Sequence, residues 1–340
     1  LDVKKVFNMK FDVIIGNPPY QMSDGGGMKT DSASGSAIPL YHKFVRQAQK
    51  LNPNYLCMII PSRWFSGGRG LDEFRDHMLS DNHLIKLVDF PDSRDCFPGV
   101  DIAGGVCYFL WNNKYSGPCE VVNCYQGKSN SSLRFLNEFP VFIRHSQSIG
   151  IIRKVLSLGE ITMNNIVYSS KPFGFRSFQS GRLKKEINDL EYLELLRSKW
   201  INYVTRNEIT VNEKLIYTWK VVMSKASAEH AGQTDNEGRK KIVSKVEVLK
   251  PGQVCTETYL LLSTFNTEIE ATNLKEYVKS SFFRFLMSTI LLTQNIARDK
   301  FQFIPIQDFS KPWTDADLYA KYGLSEDEIA FIESMIKPME

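Results

Sequence analysis

Phe11-Asp12-Val13-Ile14-Ile15-Gly16-Asn17-Pro18-Pro19-Tyr20 sets the expectation for everything around it. Its first half is a continuous apolar, β-branched run stopped by glycine, which suits a strand buried on both faces of a parallel sheet. Asn17 to Tyr20 then lie at the C-terminal edge of that strand. Outward from it, residues 38–51 carry Leu40, Phe44, Ala48 and Leu51 at helical spacing behind Pro39. Residues 55–60 return to strand character before Pro61, 71–79 form a short amphipathic helix, 84–90 is a further strand, and 106–111 and 121–125 are two more whose direction the sequence leaves open. Strand alternating with helix predicts the α/β class and a doubly wound sheet.

From about Phe139 the alternation is lost. The pattern there predicts a helix over 149–158, a basic aromatic loop, a helix over 187–196 and then long strands. Segments 243–249 and 254–262 flank Lys250-Pro251-Gly252-Gln253, where proline then glycine fits a type II turn and predicts a hairpin. Residues 277–296 read as one buried helix. Ser325 followed by Glu328 is the spacing of a capping box ahead of Ile329, Ile332 and Ile336. With 340 residues the chain can bury two cores, so two domains are expected, 1–140 and 141–340.

The hydrophobic and charged fractions, 43% and 24%, exclude a disordered chain. The apolar runs 56–60 and 282–292 are short or broken by Arg284, under the roughly 18 residues of a membrane span. The N-terminal residues lack the apolar core of a secretory signal, so no membrane association and a cytoplasmic location are expected. Cysteines 57, 96, 107, 119, 124 and 255 show no zinc-ligand spacing and the five histidines no cluster, which predicts free thiols and no metal site. A net charge of +4 is too modest to identify a nucleic-acid binder by itself. The chain opens on Leu1 and soon enters a strand pattern, from which we expect an upstream region to have preceded it.

The tetrapeptide has its own chemistry. Two prolines stiffen the backbone and lack N–H donors, so the carbonyls there are free to accept. The Asn17 amide oxygen and the Pro18 carbonyl offer two acceptors to one amino group. An amine on a nucleobase is a poor nucleophile because its lone pair is delocalised into the ring. Two acceptors set off the ring plane oppose that delocalisation and stabilise the positive charge that grows on nitrogen during attack on a methyl sulfonium. Tyr20 supplies a stacking surface worth roughly 1–3 kcal/mol per base, which helps offset extruding the base from its duplex.

Residues 12–20 resemble motif IV of the gamma-class adenine-specific (N6) DNA methyltransferases. Ile59-Ile60-Pro61-Ser62-Arg63-Trp64 resembles the strand and loop that follow in that family, and Cys96-Phe97-Pro98-Gly99-Val100 ahead of Gly104-Gly105-Val106 resembles its motif VIII. The resemblance implies a Rossmann-like methyltransferase sheet, catalytic roles for Asn17, Pro18, Pro19 and Tyr20, and Phe97 as a second ring stacked on a flipped adenine. The whole chain is similar to the back part of type IIG and related restriction-modification methylases, in which a mixed α+β target-recognition domain follows the methylase. Double-stranded DNA is then the expected partner and S-adenosyl-L-methionine the expected cofactor.

In that family the cofactor site is built largely from a glycine-rich turn and an acidic residue ahead of the NPPY strand. Neither stands ahead of Asn17 here, and Gly25-Gly26-Gly27 and Gly67-Gly68 come after it. The chain alone is therefore expected to bind the cofactor weakly or not at all, with an upstream methylase or nuclease region, or a subunit, as a further partner.

For DNA contact the candidates are Lys171, Arg176, Arg182, Lys184 and Lys185, interleaved with Phe173, Phe175 and Phe178 in a stretch without acids. A solvated basic face with Phe173 and Phe175 in the core is the structural alternative. Arg239, Lys240, Lys241 and Lys245 form a second basic group suited to phosphates. The glycine- and serine-rich stretch 23–36 suits a flexible surface loop or a lid over DNA. Two other functions share the motif. One is a DNA-recognition fragment or split-enzyme subunit without its own catalysis. The other is a methyltransferase of protein glutamine or ribosomal RNA, which the long stretch 151–340 disfavours.

Overall fold

The computed structural model describes residues 10–22, 38–68, 70–125, 127–179, 181–185, 191–198, 200–229, 234–235, 237–291 and 294–339. The stretch 23–36 lies outside them. Two compact units are present, Leu1–Ser146 and Gln147–Glu340, and the architecture is mixed α/β.

In the first unit, β1 (Val13–Gly16), β2 (Tyr55–Pro61), β3 (Leu84–Phe90), β4 (Val106–Asn112), β5 (Cys119–Tyr125) and β6 (Lys128–Arg134) form one sheet in the order β1-β2-β4-β3-β5-β6. β1 runs parallel to β2 and β3 parallel to β5, while β4 lies antiparallel between β2 and β3. The sheet is therefore mixed rather than parallel throughout. The β3–β4 connection carries only the 3-10 turn Ser93–Asp95, and a chain that returns without a crossover helix must return antiparallel. β6 is a polar strand that the apolar periodicity could not reveal, and it pairs with β5 as a hairpin.

Helix α1 (Tyr41–Lys50) joins β1 to β2, and α2 (Asp72–Ser80) leads into β3. α1 buries Tyr41, Val45 and Ala48, so its inner stripe is shifted from the expected one and Phe44 is exposed. β1 also departs from expectation: Val13 is 52% and Ile15 78% exposed. Among the described residues β1 pairs with β2 alone, an edge strand rather than one buried on both faces. Its entrance is fixed by Asp12, whose carboxylate accepts from Asn54 Nδ2 at 2.8 Å and whose carbonyl accepts from Tyr55 N at 2.9 Å.

The second unit holds helix α3 (Ser146–Ser157) and two three-stranded sheets. One contains β7 (Tyr192–Leu196), β8 (Ile201–Thr205) and β11 (Gln253–Cys255), in the order β11-β7-β8. The other contains β9 (Trp219–Ser224), β10 (Val246–Leu249) and β12 (Tyr259–Phe265), in the order β10-β9-β12. Phe173, Leu195, Val222, Val254 and Leu261 belong to one shared core. Helix α4 (Glu268–Lys279) packs on β9, β10 and β12, and α5 (Ser281–Ser288) meets α6 (Asp315–Lys321) and α7 (Glu326–Met335). Ser325 and Glu328 form the expected capping box of α7.

Three local expectations are corrected here. Where the helix over 187–196 falls on described residues, it is strand β7: Leu193 and Leu195 alternate into the core and both strand edges are paired, which overrides the helical preference of leucine and glutamate. The turn at 250–253 forms, with Gln253 N donating to Lys250 O at 3.0 Å and Gly252 at φ +84°. Its flanking strands, however, enter different sheets, β10 beside β9 and β11 beside β7. The helix expected over 277–296 is broken at Ser280, whose hydroxyl caps Phe283 N. Buried Arg284 fastens that break, donating to the carbonyls of Lys279, Ser280, Lys241 and Lys337. Among the described residues no helix is long and apolar enough to cross a membrane.

Candidate active site

Asn17, Pro18 and Tyr20, together with Phe97 from far along the sequence, line one cavity of about 670 Å³. Pro19 is exposed and stands off its wall. The near wall is the end of β1. Asn17 is open to solvent and Pro18 is buried, so the Asn17 amide stands at the mouth while the proline anchors the turn. The backbone beyond is held by the segment preceding α1: Tyr20 O accepts from Leu40 N at 3.0 Å, and Met22 N donates to Ile38 O at 3.1 Å.

The Tyr20 hydroxyl is buried and finds no hydrogen-bond partner among the described residues. Burial first, then the neighbouring thiols Cys96 and Cys107, push its pKa up to about 12. The ring is therefore neutral, with a donor to spare, in the part of the wall nearest the Phe97 loop.

That loop is knotted around Ser93, which is buried. Its hydroxyl donates to Val100 O at 2.7 Å and accepts from Ile102 N at 2.8 Å, while its carbonyl accepts from Phe97 N at 2.7 Å. Phe97 thus rides on a closed turn rather than a loose strand end. At the loop's exit Gly105 has φ +82°, and a Cβ there would stand 2.1 Å from Phe90 O. Its carbonyl accepts from Ser62 N at 3.0 Å, tying the loop to the end of β2.

Asp89, on β3, is fully buried and joins these parts. It receives Ser62 Oγ at 2.9 Å, Asn123 Nδ2 at 3.4 Å and the Arg144 guanidinium at 2.7 and 3.1 Å. Arg144 also donates to Gly104 O at 2.6 Å. Burial raises the Asp89 carboxyl, and the Arg144 charge opposes it. One ion pair thus links β2, β3, β5, the Phe97 loop and the chain beyond β6.

Sequence reasoning missed Ser93, Asp89 and Arg144, as well as Tyr41, Arg63 and Asp101 on the cavity wall. Asp89 left a signal, an acid among the apolar residues of 84–90, which calls for a buried partner. Ser93 left none.

In the second unit, Phe173 and Phe175 are core residues, which is the structural alternative for that stretch. Its cations are at the surface. Arg176, Lys184 and Lys185 are exposed and Lys171 half-buried at φ +60°. Arg182 pairs with Glu208 at 2.5 Å, and Lys185 Nζ lies 5.4 Å from the centre of the Tyr203 ring. In the other basic group, Arg239 meets Asp235 and Glu237, and Lys245 meets Glu247, so acids offset much of its charge.

Residues 2–97 match the family model of the Eco57I restriction-modification methylase. A protein of Mycoplasma pneumoniae described as an uncharacterized adenine-specific methylase is 41% identical over 125 residues, 36% of this chain and 29% of that protein. Two solved structures are similar at lower levels. The type IIG restriction endonuclease BpuSI aligns with 92% of this chain and 49% of its own at 11% identity and a TM-score of 0.36. The type IIL restriction-modification enzyme MmeI, in complex with DNA, aligns with 86% and 45% at 9% identity and a TM-score of 0.42. The match to this chain spans less than a third of the curated relative's length. Over residues 2–97 the resemblance to restriction-modification adenine methylases holds.

Proposed function

We propose that the cavity binds the amino group of an adenine flipped out of double-stranded DNA, and that the chain serves a site-specific adenine N6-methyltransferase of the restriction-modification type. The observation that carries this is the convergence of Asn17, Pro18, Tyr20 and Phe97 on one cavity, within and beside the stretch that matches the methylase family. The β1–β6 sheet is then the C-terminal part of a Rossmann-like methyltransferase sheet, and the second unit a target-recognition domain.

S-adenosyl-L-methionine supplies an electrophilic methyl group to such a reaction. The described cavity wall does not fit the whole of that molecule, since it contains no glycine, whose bare backbone would allow close approach, and Asp101 is its one carboxylate. What these residues do is hold the acceptor. The Asn17 amide oxygen and the Pro18 carbonyl accept from the amine and stabilise the charge that develops on it, and no strong base is needed at the nitrogen. Tyr20 and Phe97 offer aromatic faces to the extruded base, each worth roughly 1–3 kcal/mol. After transfer the amine has one proton too many, and the carbonyl acceptors hold it until water takes it.

The test is transfer of labelled methyl groups from S-adenosyl-L-methionine to duplex DNA, by the chain alone and joined to the upstream region the resemblance implies. Methylated adenine is expected with the joined protein. Asn17→Ala should then remove most transfer, on the order of 100-fold for a missing transition-state hydrogen bond, and leave DNA binding intact. Methylation of release-factor glutamine or ribosomal RNA, with none of DNA, would overturn the proposal.

A further inference from the structure

Residues 171–185 contain five cations and no acid. With Phe173 and Phe175 withdrawn into the core, two large apolar side chains of this stretch remain in solvent among the cations: Phe178 at 75% exposure and Leu183 at 83%. The backbone beside each of them is hydrogen-bonded.

Phe178 sits in a closed turn. Gln179 N donates to Arg176 O at 3.1 Å, Gln179 Oε1 accepts from Arg176 N at 2.6 Å, and Ser177 N donates to the Glu257 carboxylate at 3.2 Å. Glu257 N in turn donates to the carbonyl of core residue Phe175 at 3.0 Å. Leu183 follows a residue paired to β8 through both backbone groups, Arg182 N to Tyr203 O at 2.7 Å and Tyr203 N to Arg182 O at 2.8 Å. Gly181, at φ +62°, passes so close to Tyr203 that a Cβ would stand 2.7 Å from its carbonyl oxygen. Among the described residues, Glu208 and Glu257 touch the stretch, and they are occupied by Arg182 and the Ser177 amide. Arg176, Lys184 and Lys185 project beside the two apolar side chains in sequence and are exposed.

We infer that Phe178 and Leu183 are apolar wedges that enter duplex DNA between base pairs while the flanking cations take its phosphates. Charge complementarity selects the partner: exposed cations beside an apolar tip suit a polyanion with a stacked interior. Phenylalanine and leucine are among the side chains that unstack base steps, and the cost of unstacking is met by phosphate contacts. Because the backbone beside both tips is fixed by hydrogen bonds, insertion has to order only their side chains. The inference rests on the DNA reading above and assigns it a deformation step in the second unit.

The experiment is binding of the whole chain to a fluorescently labelled mixed-sequence duplex containing 2-aminopurine, across a salt series, with Phe178→Ala, Leu183→Ala and Lys184→Ala/Lys185→Ala. Anisotropy should show each apolar variant weakened about fivefold or more at every salt concentration, with the salt slope unchanged. The double lysine variant should instead lower the slope by about 0.9 for each phosphate it no longer neutralises. The parent chain should raise 2-aminopurine fluorescence by unstacking, and the apolar variants should not. Apolar variants that bind and unstack like the parent would overturn the wedges and leave the DNA reading standing. A parent chain that binds no duplex at any salt would overturn both. All three variants alter exposed side chains, and circular dichroism melts verify that they fold.

Discussion

Tyr20 shows what one side chain contributes to this cavity. Its phenol is half-buried with an unpartnered hydroxyl, and burial moves its ionisation from 10.0 to about 12. The native chain therefore keeps this proton between those values while the unfolded chain loses it. Stability contributed by the neutral form is complete below pH 10.0 and is lost as the pH climbs through about 12. Near-ultraviolet phenolate absorbance of the chain, minus that of Tyr20→Phe, should titrate near the upper value, and a difference curve centred on 10.0 would refute this burial. At this scale the sequence was informative because Asn17 to Tyr20 are contiguous and their chemistry follows from residue type. Ser93 was illegible, since a serine in a loop is compatible with almost any surroundings and only its hydrogen bonds reveal its work.

At the scale of elements, the β3–β4 connection depends on where its glycines sit. Gly99 and Gly105 share φ +82°, so alanine at either position incurs about 1–2 kcal/mol of left-handed backbone strain. Around Gly99 nothing lies within 4 Å of the added Cβ, whereas at Gly105 it would meet Phe90 O at 2.1 Å and Pro91 O at 2.7 Å. Urea unfolding should therefore show Gly105→Ala losing clearly more than the ~2 kcal/mol that strain alone explains, with Gly99→Ala below it. Equal losses would mean that the close approach at Gly105 is absent. Turn chemistry of this kind is local and was readable, as at Gly252. Partner choice was not: nothing in 243–262 states that β10 joins β9 while β11 joins β7. Helix α1 teaches the same point, for the stripes through Phe44 and through Tyr41 both have helical spacing, and the sheet beneath selects the second.

At the scale of the whole molecule, the Asp89–Arg144 pair joins residues 55 apart in the first unit and ties β3 to the chain beyond β6. Removing the cation leaves a buried carboxylate without its counter-charge, so Arg144→Met should destabilise by roughly 3–5 kcal/mol. Arg94→Met, which breaks the surface pair with Asp92 at 2.6 Å, should cost far less, because water screens an exposed pair. Comparing the two urea midpoints checks the contrast, and similar losses would show that the buried pair does not organise the unit. Loss of the pair should also loosen the Phe97 loop through Gly104, so methyl transfer by the joined protein should fall at temperatures where Arg144→Met remains folded.

By itself the sequence determined the donor and acceptor groups at the end of β1, the strands and helices of the first 125 residues, and the resemblance that links them to adenine methylases, because each depends on neighbours in the chain. Tertiary structure alone decided that β4 lies antiparallel between β2 and β3, that β1 is an exposed edge, and that Phe97 shares a cavity with Asn17 and Tyr20. It also decided that Phe173 and Phe175 turn inward while Phe178 and Leu183 do not. The physical reason is common to all four: pairing and burial are set by surfaces brought together across long loops, and an apolar residue does not encode which of several possible surfaces will cover it.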